Sequence, residues 1–168
     1  MQKEINVSSK SVKLVCFDLD DTLLLQNSWV KLNIGLGVTE KEDQHYYEQY
    51  HQGIITYDEW QQTLLSLYKR QGPVPRSKIE AILQDYRLHP DAAIVTKNLQ
   101  ERGYTLALIS GSFDILVNTI ARHLSIKLCS GNTHFIFDEE DNLQTLVHKG
   151  DEANAKLESL KRWLTLLV

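Results

Sequence analysis

An α/β protein, with a parallel, doubly wound sheet and an inserted block of helices, is predicted by three features of the sequence. An apolar run, Leu14-Val15-Cys16-Phe17, leads directly into the acids Asp18 and Asp20. Residues 88 to 130 alternate helix and strand signals, the order that builds parallel sheets covered by helices. Between these two regions, residues 28 to 88 carry helix-start signals and no strand pattern. The chain has 168 residues, enough for one core or a core plus a small insertion.

The first strand is expected at about Val12 to Phe17. Such a run reads as a buried strand, and open α/β sheets hold their ligands beyond the C-terminal ends of their strands. In the helical block, Thr39-x-x-Glu42, Thr56-x-x-Glu59 and Ser77-x-x-Glu80 fit the capping box. In that motif two backbone donors at a helix start are satisfied reciprocally. Gln71-Gly72-Pro73-Val74-Pro75 separates two of the helices. Tyr46, Tyr47, Tyr50, His51, Tyr57, Trp60 and Tyr68 are read as aromatic core between them in preference to a substrate box.

A further helix is expected to open at His89-Pro90-Asp91, carry Ile94, Val95 and Leu99 at helical spacing, and stop at Gly103. The second strand is Tyr104 to Ile109, running into Ser110-Gly111-Ser112-Phe113-Asp114, with Ser112 placed to cap the next helix. A short third strand is expected at Ile126 to Cys129, a hairpin over 133 to 147, and a last helix over about 152 to 165. Cys16 and Cys129 lie in apolar runs and read as buried free thiols of a reducing compartment. The formal charge of −4 gives no electrostatic reason to expect nucleic acid or an anionic membrane as partner. No apolar stretch approaches the roughly 18 residues of a membrane span. The polar N-terminus carries no secretory pattern, so a cytoplasmic location is expected.

The chemistry centres on Asp18-Leu19-Asp20-Asp21-Thr22. Side chains alternate along extended chain, so Asp18 and Asp20 share a face if that geometry persists. Two acids in one pocket divide labour, one ionised and one protonated, because each makes ionising the other costlier. A calcium loop is excluded, since its glycine and final glutamate positions hold Leu23 and Trp29. Ser110 ends a strand before a helix, where a hydroxyl and exposed backbone N–H groups make a phosphate cradle.

Asp-x-Asp-x-Thr strongly resembles the nucleophile motif of the haloacid dehalogenase-like superfamily in its phosphatase form. Ser110-Gly111-Ser112-Phe113-Asp114 resembles the second motif of the phosphoserine phosphatase-like subfamily. Asn154-Ala155-Lys156, with Leu160, resembles the lysine motif, and Lys149 is a second candidate. The resemblance implies a Rossmann-like core from residues 1–25 and 89–168, with 26–88 as a helical cap. It implies Mg²⁺-dependent hydrolysis of a small phosphate monoester through an aspartyl-phosphate. Asp18 would be the nucleophile and Asp20 the acid and base. Thr22, Ser110, Gly111 and Lys156 would hold the phosphate. The Asp18 carboxylate and the Asp20 backbone carbonyl would bind the metal.

The subfamily's substrate-binding Glu and Arg fall, by ungapped counting, at Asn27 and Leu64, so phosphoserine is not expected to be favoured over other small phosphomonoesters. A fourth, acidic motif completing the metal site finds no counterpart before Val168. A fragment of a longer protein, or a degenerate member, is therefore expected. The chain as it stands should bind Mg²⁺ poorly and turn over slowly. It should also self-associate through an exposed sheet edge, or cover that edge with Trp163, Leu164, Leu166 and Leu167. A non-enzymatic binding role and phosphotransfer to a second alcohol are the alternatives.

Overall fold

The structure, a computed structural model, describes residues 13–150 and 152–167. The expected strand start at Val12 lies outside the described residues. Four strands and seven helices follow one another as β1 (Leu14–Phe17), α1 (Ser28–Gly35), α2 (Glu40–His51), α3 (Tyr57–Lys69), α4 (Arg76–Gln84), α5 (Ala92–Glu101), β2 (Thr105–Phe113), α6 (Asp114–His123), β3 (Leu128–Phe137), β4 (Leu143–His148) and α7 (Glu152–Leu167). The strands pair in the order β1-β2-β3-β4. The first two pairings are parallel and the third is antiparallel. The fold is α/β, as expected, with one hairpin strand added to the parallel sheet.

Side-chain alternation along β2 divides the core. Leu106 and Leu108 point into the main apolar cluster, while Ala107 and Ile109 meet Trp163 of α7 on the opposite face. Period-two alternation with apolar residues on both faces is what a strand covered on both sides requires. Helices α5 and α6 and the block α1 to α4 share the main cluster. Ile79 of α4 lies at its centre, with no exposed surface. Ile79→Val is expected to cost roughly 0.5–1.5 kcal/mol, the usual loss for one buried methylene, read as a lower denaturant midpoint at unchanged slope.

The capping boxes at Thr39 and Thr56 form as expected, each with its Glu side chain returning to the cap backbone. The third does not. Helix α4 starts at Arg76 with Pro75 as cap and no side-chain cap bond. Tertiary pairing decides this. Arg76 N donates to Asp141 O at 2.9 Å and its Nε to Asp141 Oδ1 at 2.6 Å, so the helix begins before Ser77. In α5, Ala92, Thr96 and Leu99 face the core, while Ile94 and Val95 are exposed.

Two expected elements merge. The third strand and the first hairpin strand are one continuous β3, parallel to β2 in its first half and antiparallel to β4 in its second. Gly131 sits at the change-over, where a Cβ would lie 2.7 Å from the backbone N and Cα of Asp114. Only glycine permits that approach. The thiols also depart from expectation, since Cys16 is exposed and Cys129 half-buried. Strand β1 is an edge of the described sheet, so it has neighbours on one side only. Trp163 is buried under the face of the sheet and not along that edge, and Leu166 is 73% exposed. No helix of the described residues is long and apolar enough to cross a membrane.

Candidate active site

Strand β1 delivers the two acids at the C-terminal end of the sheet. Beyond Phe17 the chain turns. The Leu19 carbonyl accepts N–H groups from Thr22, Leu23 and Leu24, and the Leu19 side chain is fully buried. Asp21 takes a left-handed backbone, φ 54°, which a short polar side chain tolerates better than most. Anchored by Leu19, Asp18 and Asp20 remain half-buried on either side.

Asp18 Oδ1 accepts its neighbour's Leu19 N–H at 2.7 Å, and Oδ2 accepts from Lys156 Nζ at 2.7 Å. These residues lie 138 apart in sequence, so the contact exists only because α7 packs across the ends of β2 and β3. Lys156 Nζ also pairs with Glu152 at 2.7 Å, one helical turn earlier. Burial pulls the ammonium of Lys156 down, but the bonds to Asp18 and Glu152 outweigh it, and the net shift is upward. Lys156 therefore stays cationic across the physiological range.

Asp20 is held differently. Its Oδ1 accepts the Ser28 N–H and its Oδ2 the Ser28 hydroxyl, both at 2.8 Å. The Ser28 hydroxyl lies 2.6 Å from that of Ser112. Asp20 is thus tied to the start of α1 and, through Ser28, to the end of β2. Burial pushes its carboxyl above the usual carboxylate range. The two Ser28 bonds oppose that shift, and the negative charge of Asp18 adds to it.

Ser110 is buried, and its hydroxyl accepts the Ser112 N–H at 3.1 Å. Ser112 itself does not cap α6, since Phe113 occupies the cap position without a side-chain bond and Ser112 turns instead to Ser28. Gly111 lies directly beneath the Glu152 carboxylate, where a Cβ would come within 2.5 Å of Cδ.

The remaining candidates separate from this group. Thr22 is exposed and its hydroxyl makes no hydrogen bond among the described residues. Lys149 turns to β3, with Nζ 2.9 Å from Gly131 O and 3.3 Å from Ser130 Oγ. Asn27 accepts the N–H groups of Trp29 and Val30 as the cap of α1, and Leu64 is wholly buried. Neither is free to make an ion pair with a substrate. Sequence reasoning missed Ser28 and Glu152. The spacing of Glu152 four residues before Lys156 was the available signal for the second.

Beside Glu152, between the helical block and the sheet, a cavity of about 280 Å³ is lined by Tyr50, Tyr57, Asn132, His148, Gly150 and Glu152. Trp60 and Tyr68 are buried as expected of aromatic core, but Tyr50 and Tyr57 face this cavity.

The chain is similar in sequence and in fold to known proteins. The family model described as haloacid dehalogenase-like hydrolase matches residues 12–162. A phosphoserine phosphatase of Methanocaldococcus jannaschii is 29% identical over 129 residues, 77% of this chain and 59% of the relative. The chain thus spans less than two thirds of that relative's length. A solved phospho-aspartyl intermediate analogue of phosphoserine phosphatase superposes with a TM-score of 0.76 at 26% identity, over 94% of this chain and 73% of the other. A substrate-bound phosphoserine phosphatase complex gives 0.76 at 25% identity, over 94% and 72%.

Proposed function

The chain belongs to the haloacid dehalogenase-like hydrolase family, and from that membership we propose that it hydrolyses a small phosphate monoester through an aspartyl-phosphate on Asp18. The observation that carries this reading is the Lys156–Asp18 contact beside the Ser110–Gly111 turn. A carboxylate nucleophile needs a cation to bring the phosphoryl group to it, since both carry negative charge. Lys156 provides that cation, at the start of α7.

In the first step an Asp18 oxygen forms a bond to phosphorus as the ester P–O bond breaks, and Asp20 gives its proton to the departing alkoxide. In the second, Asp20 takes a proton from water as that water attacks phosphorus. Inorganic phosphate leaves and Asp18 is restored. Ser110 and the Gly111 backbone hold phosphoryl oxygens, and Lys156 offsets the charge that grows on them. Thr22, in the turn after Asp18, would give its hydroxyl to the same phosphoryl group.

Mg²⁺ is the cofactor this donor set suits. The Asp18 carboxylate and the Asp20 backbone carbonyl are hard oxygen ligands, and Mg²⁺ commonly keeps several waters beside one or two protein ligands. Among the described residues no group of three or more His, Cys, Asp or Glu side chains is arranged to hold an ion. When bound, Mg²⁺ supplies further positive charge at the phosphoryl oxygens.

The test is turnover of phosphate monoesters with Mg²⁺ by the protein and by Lys156→Met. The variant is expected to lose about 10²–10³ in kcat, the usual cost of removing one preorganised charge stabiliser. An unchanged kcat in the folded variant would overturn the role of Lys156.

A further inference from the structure

The cavity beside Glu152 has the chemistry of a cation subsite. We propose that it holds the leaving group of the substrate, and that this group is an amino alcohol whose ammonium is met by Glu152, Asn132 and the rings of Tyr50 and Tyr57. The inference rests on the hydrolase reading above and specifies its substrate class.

Three observations support it. Glu152 faces two ways, since it lies over Gly111 in the phosphate turn and also lines the cavity. The carboxylate and both tyrosines line the same cavity. Tyr50 and Tyr57 stand 5.6 Å apart edge to face, and the His148 ring packs 4.6 Å from Tyr57. Aromatic rings beside a carboxylate attract an organic cation.

Asn132 supplies the second observation. It is only 5% exposed, and its Oδ1 has no hydrogen-bond partner among the described residues, although its Nδ2 donates to Gly150 O at 3.3 Å. A buried acceptor left without a donor is destabilising. An ammonium has three donors and no acceptor, so it satisfies this oxygen and Glu152 together.

The third observation concerns what the cavity lacks. None of the six described residues that line it is Lys or Arg. His148 Nε2 is taken by Asp58 at 2.9 Å, and Lys156 is taken by Asp18 and Glu152. A second anionic group on the substrate, such as the carboxylate of phosphoserine, finds no partner here and meets Glu152 instead.

Substrate entry then exchanges partners. The phosphoryl group replaces Glu152 as the anion on Lys156, and the released carboxylate pairs with the ammonium. Phosphate and amine bind cooperatively through one residue.

The test uses calorimetric titration of the protein and of Glu152→Gln with four probes: inorganic phosphate, aminoethyl phosphate, hydroxyethyl phosphate and phosphoserine. The wild type is expected to bind aminoethyl phosphate at least about tenfold more tightly than hydroxyethyl phosphate, and phosphoserine more weakly than aminoethyl phosphate. In Glu152→Gln the amine preference should fall close to one. Equal affinity for amine and alcohol in the wild type, or a preference that survives in the variant, overturns the cation subsite. Phosphoserine binding more tightly than aminoethyl phosphate overturns the exclusion of a carboxylate. Failure of inorganic phosphate to bind the wild type overturns the hydrolase reading and the subsite with it, and the phosphate titration tells that failure from the others.

Discussion

Asp18→Asn, in a full-length version with measurable activity, is expected to remove essentially all turnover, a loss of at least about 10⁴-fold, or ~5.5 kcal/mol of transition-state stabilisation. An amide oxygen is too weak a nucleophile to form the acyl phosphate, and no other carboxylate on the described chain bonds to Lys156 from the end of β1. The fold should survive. The amide oxygen still accepts the Leu19 N–H, and Lys156 keeps Glu152 as partner. The lost ion pair is 44% exposed on the Asp18 side, so solvent screening holds its worth below about 1 kcal/mol. The measurement is steady-state turnover beside a denaturation midpoint. Substantial activity in a well-folded variant contradicts the assignment.

Asp20→Asn is expected to be severe for a different reason. General acid–base groups contribute about 10²–10⁴-fold, and Asp20 serves in both steps. Burial raises its carboxyl above the usual range, which favours the protonated form the first step requires. Loss of the acid matters most for alkyl esters, whose alkoxides leave poorly, and least for nitrophenyl esters. Loss of the base slows hydrolysis of the acyl phosphate, so the intermediate should accumulate. The amide retains an oxygen for the Ser28 N–H, so the start of α1 should hold. The check is the ratio of alkyl to nitrophenyl ester rates. If both fall equally and no intermediate builds up, Asp20 is a cap of α1 and not a proton donor.

The parts of this site that were legible in the sequence are those whose signal is local. Asp18 and Asp20 follow an apolar run at a spacing few other motifs share, and Lys156 lies in a recognisable Asn-Ala-Lys stretch. Glu152 was opaque because a Glu four residues before a Lys reads as an ordinary surface pair. Its position over Gly111 depends on where α7 crosses the sheet. Ser28 was opaque because its partner Ser112 is 84 residues away. The fold shows the same division. Thr39 and Thr56 cap as their local pattern dictates, whereas Ser77 loses its cap position to a contact between Arg76 and Asp141, 65 residues off. The apolar residues of α5 fit a helix, but which stripe is buried was chosen by its packing on β2, which buries Ala92 and Thr96 and leaves Ile94 and Val95 outside. The merging of β3 turned on Gly131, whose close approach to Asp114 has no trace in periodicity.

The most direct measurement of the central claim is the covalent intermediate itself. Asp20→Asn protein is mixed with Mg²⁺ and nitrophenyl phosphate, quenched in acid, digested and weighed by mass spectrometry. The peptide containing Asp18 should gain the mass of one phosphoryl group, and hydroxylamine should remove it, as it does from acyl phosphates. The double variant carrying Asp18→Asn should gain nothing. A phosphoryl group on any other residue, or turnover with no adduct on Asp18, would contradict the account.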